Sequence, residues 1–528
     1  MKPLRKQVPG IRQKITLVIV LAAALAACAP VGPDFVKPEI PVSTEWAQQP
    51  DQGLQPLPDD LIEWWRVFED PVLNELMERA RENNNNLEIA GLRVLESLAQ
   101  LGIATGSRYP QTQIAFGEAT AVSPADNSGV TSNFWQYGLG ASASWEIDFW
   151  GRFRRGIESA DAAYLASIAA YDQALVLLTA SVASSYAVIR TTEEQTRIAE
   201  QNLKIQQRSY EIASVLYRNG AASELDMQQA ETLLLATKAT LPALESTLRQ
   251  SRNALSTLLG QPPGSVTDIL ARNKGIPRLP DHIAIGIPAD MLRRRPDVRQ
   301  AELTAMAQNA RVGLAEADLY PSFSLTGSIG LSAGGPGDSD FGDLFRADAL
   351  AWSIGPSFVW PFLNYGRIKN NVRVQDARLQ QTLVAYRETA LQAAREAEDA
   401  MAAFIGSREQ TALLAETVTS AERSNALSTL RYQEGFSDYQ RVLNAQQSLF
   451  AQQQRYVATQ GETVLNLVTL YKALGVGWEN PAGTPWADQQ TRLEMEQRTD
   501  WGDLLETSHP AKTTAEQAMG TTRELRQD

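Results

Sequence analysis

Cysteine occurs once in the 528 residues, at Cys28, and histidine twice, at His282 and His509. A single cysteine cannot close an internal disulfide, and two histidines leave a His-based metal centre short of ligands. Aromatic residues are scarce, at 7%, and the one long apolar run stands near the N-terminus, so the chain is not a helical membrane protein. Basic residues are outnumbered, 48 Lys and Arg against 61 Asp and Glu. The net charge of −13 argues against a nucleic-acid partner, which would require a basic surface. No nucleophile–base constellation supports an enzyme. The GGPG run at 334–337 lacks the Lys-Ser/Thr of a phosphate loop, and no cofactor is implied. Hydrophobic residues at 44% nonetheless supply ample core, so the chain is not disordered by composition.

What is present begins at the N-terminus. Lys2, Arg5, Lys6, Arg12 and Lys14 precede the apolar run LVIVLAAALAA at 17–27. The run is too short to span a bilayer as a helix and has the layout of a secretory signal. Removing residues 1–27 takes five positive charges away, from −13 to −18. Cys28 closes the run in LAAC. It reads either as a free thiol beside an ordinary cleavage site or, more sharply, as the lipidated residue of a motif that resembles the bacterial lipobox. Two or three acyl chains anchor stably where one does not. Ala29 follows instead of the Asp that tends to retain such lipoproteins in the inner membrane, which favours the outer one.

A long internal repeat sets the architecture. YRNGAASELDMQQAE (217–231) corresponds to YQEGFSDYQRVLNAQ (432–446) at an offset of 215. SWEIDFWGR (144–152) and VWPFLNYGR (359–367) keep that offset, as do LSTLLG (255–260) and LYKALG (470–475). A period this long implies two copies of a large unit rather than a solenoid. Each copy reads as helix, two strands and two long helices, over 71–275 and 286–478. Strands are expected near 111–121, 134–149, 322–331 and 351–362. Long helices are expected over about 155–218 and 367–433, returning over 223–259 and 438–474. A helix of about 60 residues rises roughly 90 Å. Leu241, Leu244, Leu248, Leu255 and Leu258 follow heptad spacing, and Pro242 should bend the return helix locally. Pro296, within RRRPD (293–297), reads as a helix opener. Residues 28–70 read as an extended segment, and 485–528 as a flexible polar tail.

The strands alternate with period two. From Trp135 to Phe149 odd positions are Trp, Tyr, Leu, Ala, Ala, Trp, Ile and Phe, with polar or small residues between. A soluble half-buried sheet carries the same alternation. The export signal, aromatic ends and strand lengths near ten favour a transmembrane barrel. Four strands cannot close alone in lipid, so the barrel would be shared, with twelve strands from three chains.

The chain resembles the TolC-like outer membrane efflux proteins, in the lipoprotein branch typified by OprM and NodT. The likeness covers roughly 25–480 and is carried by VGPDF (31–35), WWRVFEDPVLNELMERA (64–80), SWEIDFWGRFRR (144–155), GIPADMLRRRPDVRQAE (286–302), YPSFSLTGSIGLS (320–332) and LYKALGVGW (470–478). The resemblance implies an α+β membrane channel-tunnel of a Gram-negative bacterium, a homotrimer crossing the outer membrane and projecting into the periplasm. It implies a periplasmic adaptor and an inner-membrane resistance-nodulation-division transporter as partners. Small-molecule efflux is favoured, type I protein secretion uses the same duct, and a non-transporting envelope spacer would not need the strands.

The repeated stretches then read as periplasmic turns that dock the adaptor and surround the aperture. Gly220 and Gly435 suit the left-handed residue that ends a helix, and Ser223 and Asp438 suit the N-caps of the returning helices. Asp226 fits a capping box with Ser223, which does not exclude an aperture role. Tyr432 reads as packing or, by resemblance, as part of a latch. Family members often carry aspartate where this chain has Arg441 or Asn444, so a less acidic aperture is expected, with Asp438 and Glu434 near enough to pair with Arg441. Gly151 and Gly366 read as turns from barrel into helix.

Overall fold

The computed structural model describes residues 30–39, 54–56, 63–123, 133–280, 283–285, 294–335, 340–478 and 483–510. The expected leader, Cys28 and His282 lie outside these residues. The chain divides into two compact units. One comprises Met1–Glu39, Glu96–Ala166 and Ala301–Tyr386, and the other the remainder.

The first unit is built on a four-stranded antiparallel sheet of β1 (Thr112–Val122), β2 (Phe134–Ile147), β3 (Ser322–Gly334) and β4 (Leu350–Val359), in that spatial order. Its register sorts the sequence alternation into two faces. One row reads Ala115, Ala141, Ile329, Trp352, and the next on that face Gly117, Leu139, Leu331, Leu350. The opposite face carries Ile114, Ser142, Ser328 and Ser353 in one row and Thr112, Ser144, Thr326 and Gly355 in another. Ser328 and Ser353 hydroxyls meet at 2.8 Å. The apolar face is uncovered: Leu139, Ile329, Trp352, Ile354 and Phe358 are all exposed. β1 and β4 pair on one side only, leaving two open edges.

The second unit holds most of the helical core. Helix α1 (Pro71–Asn83) starts at Asp70, whose carboxylate accepts from the backbone N–H groups of Val72 and Leu73, with Pro71 at the first helical position. Val72, Leu73, Leu76, Met77 and Ala80 form its buried stripe, each large side chain contributing about 1.5–3 kcal/mol. The stripe belongs to a core that includes Trp64, which stacks on Tyr471 at 5.2 Å. Trp64–Phe68 is a 3-10 turn, so the expected extended segment ends in helical structure where two tryptophans must be buried.

Helix α2 (Asn85–Gly106) precedes β1, and α3 (Arg152–Arg218) follows β2. The return after α3 is two helices, α4 (Glu224–Lys238) and α5 (Leu241–Leu258). The expected bend at Pro242 is thus a break at 239–240, because proline has no N–H to give to the carbonyl of Lys238. The leucine seam falls on the less exposed side of α5, with Leu255 buried. Helix α6 (Pro296–Ala317) opens on Pro296 and leads to β3. Helix α7 (Arg367–Gln433) has 67 residues, as α3 has, and α8 (Tyr439–Ala473) returns unbroken.

The flexible tail expected from 485 is corrected over its described part. Helix α9 (Gln489–Arg498) and a 3-10 turn, Gly502–Glu506, are ordered by tertiary contacts. Trp486 is buried edge-on against Tyr171 at 5.3 Å, and His509 meets the Asp172 carboxylate at 2.9 Å. Residues 511–528 lie outside the described part.

Candidate functional site: two helix turns on one core

Both repeated stretches are helix–turn–helix connections of one design. At the end of α3 the Gly220 N–H donates to Tyr217 O at 2.9 Å and the Ala221 N–H to Leu216 O at 2.8 Å. At the end of α7 Gly435 donates to Tyr432 O at 3.1 Å and Phe436 to Arg431 O at 2.8 Å. This is the paired carbonyl-capping pattern of a Schellman motif, and it needs a left-handed residue. Gly220 and Gly435 supply it with φ of 72° and 76°.

The returning helices differ at their third residue. Ser223 Oγ accepts from the Asp226 N–H at 3.2 Å while Asp226 accepts from the Ser223 N–H at 3.1 Å, a complete capping box. Asp438 accepts from the Arg441 N–H at 3.3 Å, but Arg441 has no acceptor to return the bond. The expected partnership of Arg441 with Asp438 therefore runs through the backbone N–H. Among the described residues the guanidinium forms no ion pair with Asp438 or Glu434. Asn444 is exposed and accepts from Gln440 Nε2 at 2.9 Å.

The two turns share one apolar cluster of Ala213, Ala230, Leu233, Tyr439, Val442 and Leu443, with Tyr210 and Tyr432 packed on it. Tyr432 and Tyr439 meet edge-on at 5.3 Å. Burial, then the Asp226 carboxylate, then Tyr439 raise the Tyr432 phenol above its ordinary value. Burial also raises Tyr439, against the hydrogen bond with Ser209 Oγ at 3.3 Å, and Asp226 adds to the rise. Both phenols thus stay neutral at physiological pH. Asp226 and Tyr432 are brought together at this cluster, whereas Asp438, Arg441 and Asn444 stand exposed on the adjoining turn. Ser209, Tyr439, Val442 and Leu443 were not singled out from the sequence. The apolar spacing Tyr439, Val442, Leu443, Leu449 was the available signal.

Gly151 and Gly366 mark the other two turns, where strands pass into α3 and α7, with φ of 76° and 81°. A side chain at Gly151 would meet Pro30 at 2.3 Å. Tryptophans cluster at these strand ends. Trp150 Nε1 donates to Pro321 O at 2.9 Å, Trp360 Nε1 donates to Leu319 O at 3.1 Å, and Trp150 stacks on Tyr320 at 4.5 Å. Such aromatics suit a membrane–water boundary.

Comparison with known proteins agrees with this geometry. The family described as "Outer membrane efflux protein" matches residues 76–261 and 287–476. The cation efflux system protein CusC of Escherichia coli O6:H1 is 30% identical over 467 residues, covering 87% of this chain and 98% of CusC. Nodulation protein T of Rhizobium leguminosarum bv. trifolii is 30% identical over 460 residues, covering 87% and 96%. Among solved structures, the outer-membrane channel OprN superposes with a TM-score of 0.79 at 29% identity, covering 85% of this chain and 99% of OprN.

Proposed function

The chain belongs to the outer membrane efflux protein family and is an outer-membrane efflux channel, and we propose that it works as a passive trimeric duct for small molecules. The observation that carries this reading is the sheet. It leaves an apolar face uncovered, which suits lipid, and it has two open edges, whose unpaired backbone groups lipid does not tolerate unless they pair with other copies. Three copies give a closed twelve-stranded barrel, wide enough to leave a lumen. The two 67-residue helices, each leaving a strand through a left-handed glycine, support reading the chain as two copies of one unit.

Cys28 is the proposed lipidation site, holding the chain to the outer membrane beside the barrel. The turns around Gly220, Ser223 and Gly435 are the proposed docking points for a periplasmic adaptor, which couples the duct to an inner-membrane resistance-nodulation-division transporter. Asp226, Tyr432, Asp438, Arg441 and Asn444 are proposed to surround the aperture. With Arg441 and Asn444 at its exposed positions, that aperture is less acidic than an aspartate ring. Energy and substrate choice reside in the transporter, and drugs or other toxic compounds are the proposed cargo.

The test is crosslinking of a tagged copy in intact cells, followed by mass spectrometry. An adaptor recovered with a proton-driven drug or metal transporter is the expected result. Recovery of an ATP-driven protein exporter would overturn small-molecule efflux in favour of type I secretion.

A further inference from the structure

The helices beside the aperture hold an unusual share of unmet hydrogen-bonding demand. Among the described residues, ten buried side-chain polar atoms have no hydrogen-bond partner in the protein. Five of them lie on the last turns of α3 and α7 and the first turns of α8: both amide atoms of Gln206, Oδ1 of Asn425, the hydroxyl of Tyr432 and Oε1 of Gln446. Native interiors leave few such groups, so a concentration beside these turns calls for a reason.

Gln206 and Gln446 are the deepest, 1% and 3% exposed. Two satisfied bonds bracket them. Ser209 Oγ meets Tyr439 OH at 3.3 Å, and Asn202 Nδ2 donates to Gln453 Oε1 at 2.7 Å. Along α3, residues 202, 206 and 209 fall on one face; along α8, residues 439, 446 and 453 recur every seven and do the same. The bonds run in opposite directions along the two helices. They therefore place Gln206 and Gln446 on the same seam, midway between them. These atoms are enclosed within their own chain, so a neighbouring copy in a trimer cannot supply partners. A polar layer in a coiled-coil seam lowers its stability.

We propose that Gln206 and Gln446 form a weak layer in the α3–α8 seam that sets how readily the helices beside the aperture part. The inference rests on the aperture reading above. Local opening free energy governs amide exchange, so the layer predicts measurable exchange from an otherwise well-packed helix pair.

The experiment uses the full-length protein in lipid nanodiscs, with hydrogen–deuterium exchange on residues 203–213 and 439–449, and single-channel conductance in planar bilayers. Gln206→Leu with Gln446→Leu is the principal variant. Gln206→Met, close in shape, carries the test if the double variant does not assemble by native mass spectrometry. Exposed Gln447→Leu is the control. The expected result is exchange slowed about tenfold in the seam, the factor for relieving one unmet group, with fewer openings. Unchanged or faster exchange in the variants overturns the proposal, since the amides are then satisfied and stabilising. The same slowing in Gln447→Leu also overturns it. Slower exchange with unchanged conductance overturns the aperture reading, and with it the link from seam to opening.

Discussion

Asp226 and Arg441 occupy the third position of their helices, and their difference is a hydrogen bond before it is a charge. Asp226 returns the bond that Ser223 gives, while Arg441 leaves Asp438 as a one-way cap. Arginine also sets a cation against the positive end of α8, where an anion gains about 0.3–1 kcal/mol. Arg441→Asp should therefore slow amide exchange across the 435–442 turn. The same change should strengthen block by divalent cations at the proposed aperture, because each chain of the proposed trimer trades a positive for a negative charge. Conductance titrated with a divalent salt reads the second effect, and a block no stronger than in the wild type would remove Arg441 from the aperture. The glycines and caps of both turns were legible in sequence, since turn chemistry is local. The Ser209–Tyr439 contact was not, because its partners are 230 residues apart.

At the scale of elements, glycine shows which contacts are structural. Gly220 and Gly435 face open space, so alanine there meets only the left-handed backbone penalty of about 1–2 kcal/mol. Gly91 is different: a Cβ would lie 1.8 Å from the Trp486 carbonyl oxygen. Gly91→Ala should release the C-terminal segment and expose it to protease, with digestion after residue 478 as the readout. A second lever is Glu88. It accepts from the Thr491 hydroxyl, and its carboxyl is raised, chiefly through hydrogen bonding with Asp488, which is itself lowered to about 2. A raised carboxyl contributes stability that is lost as pH rises through its folded value. A lowered one contributes stability that is lost as pH falls through its own. Docking of α9 should accordingly be firmest in mild acid and weaken toward neutrality. Glu88→Gln keeps the acceptor and removes the repulsion, so it should slow proteolysis at neutral pH and flatten this dependence. The long helices and strands were legible because each carries its period over many residues. The folding of 484–510 was not, since α9 buries only Met495 and the segment around it is held through Trp486 and His509, which meet Gly91, Tyr171 and Asp172 hundreds of residues away.

The whole molecule is decided by what its apolar sheet face meets. In water, exposed Leu139, Ile329, Trp352, Ile354 and Phe358 would form a patch of the kind that drives aggregation. In a shared barrel the same rows meet lipid, and the serine rows line the lumen. Adjacent residues on β4 separate the two cases. Ile354→Lys places a cation on the apolar face in mid-strand, and Ser353→Lys places one on the serine face. A lysine facing lipid near mid-bilayer costs about 2–4 kcal/mol per chain, or roughly 6–12 over three chains, comparable with the 5–15 kcal/mol that holds a typical domain folded. Ile354→Lys should therefore abolish the trimer in outer-membrane fractions, while Ser353→Lys should assemble and alter ion selectivity. Detergent-resistant oligomer on unheated gels measures the first outcome, and reversal potential in bilayers the second. Were both variants to assemble equally, the apolar rows would not face lipid, and the open strand edges would need a different partner.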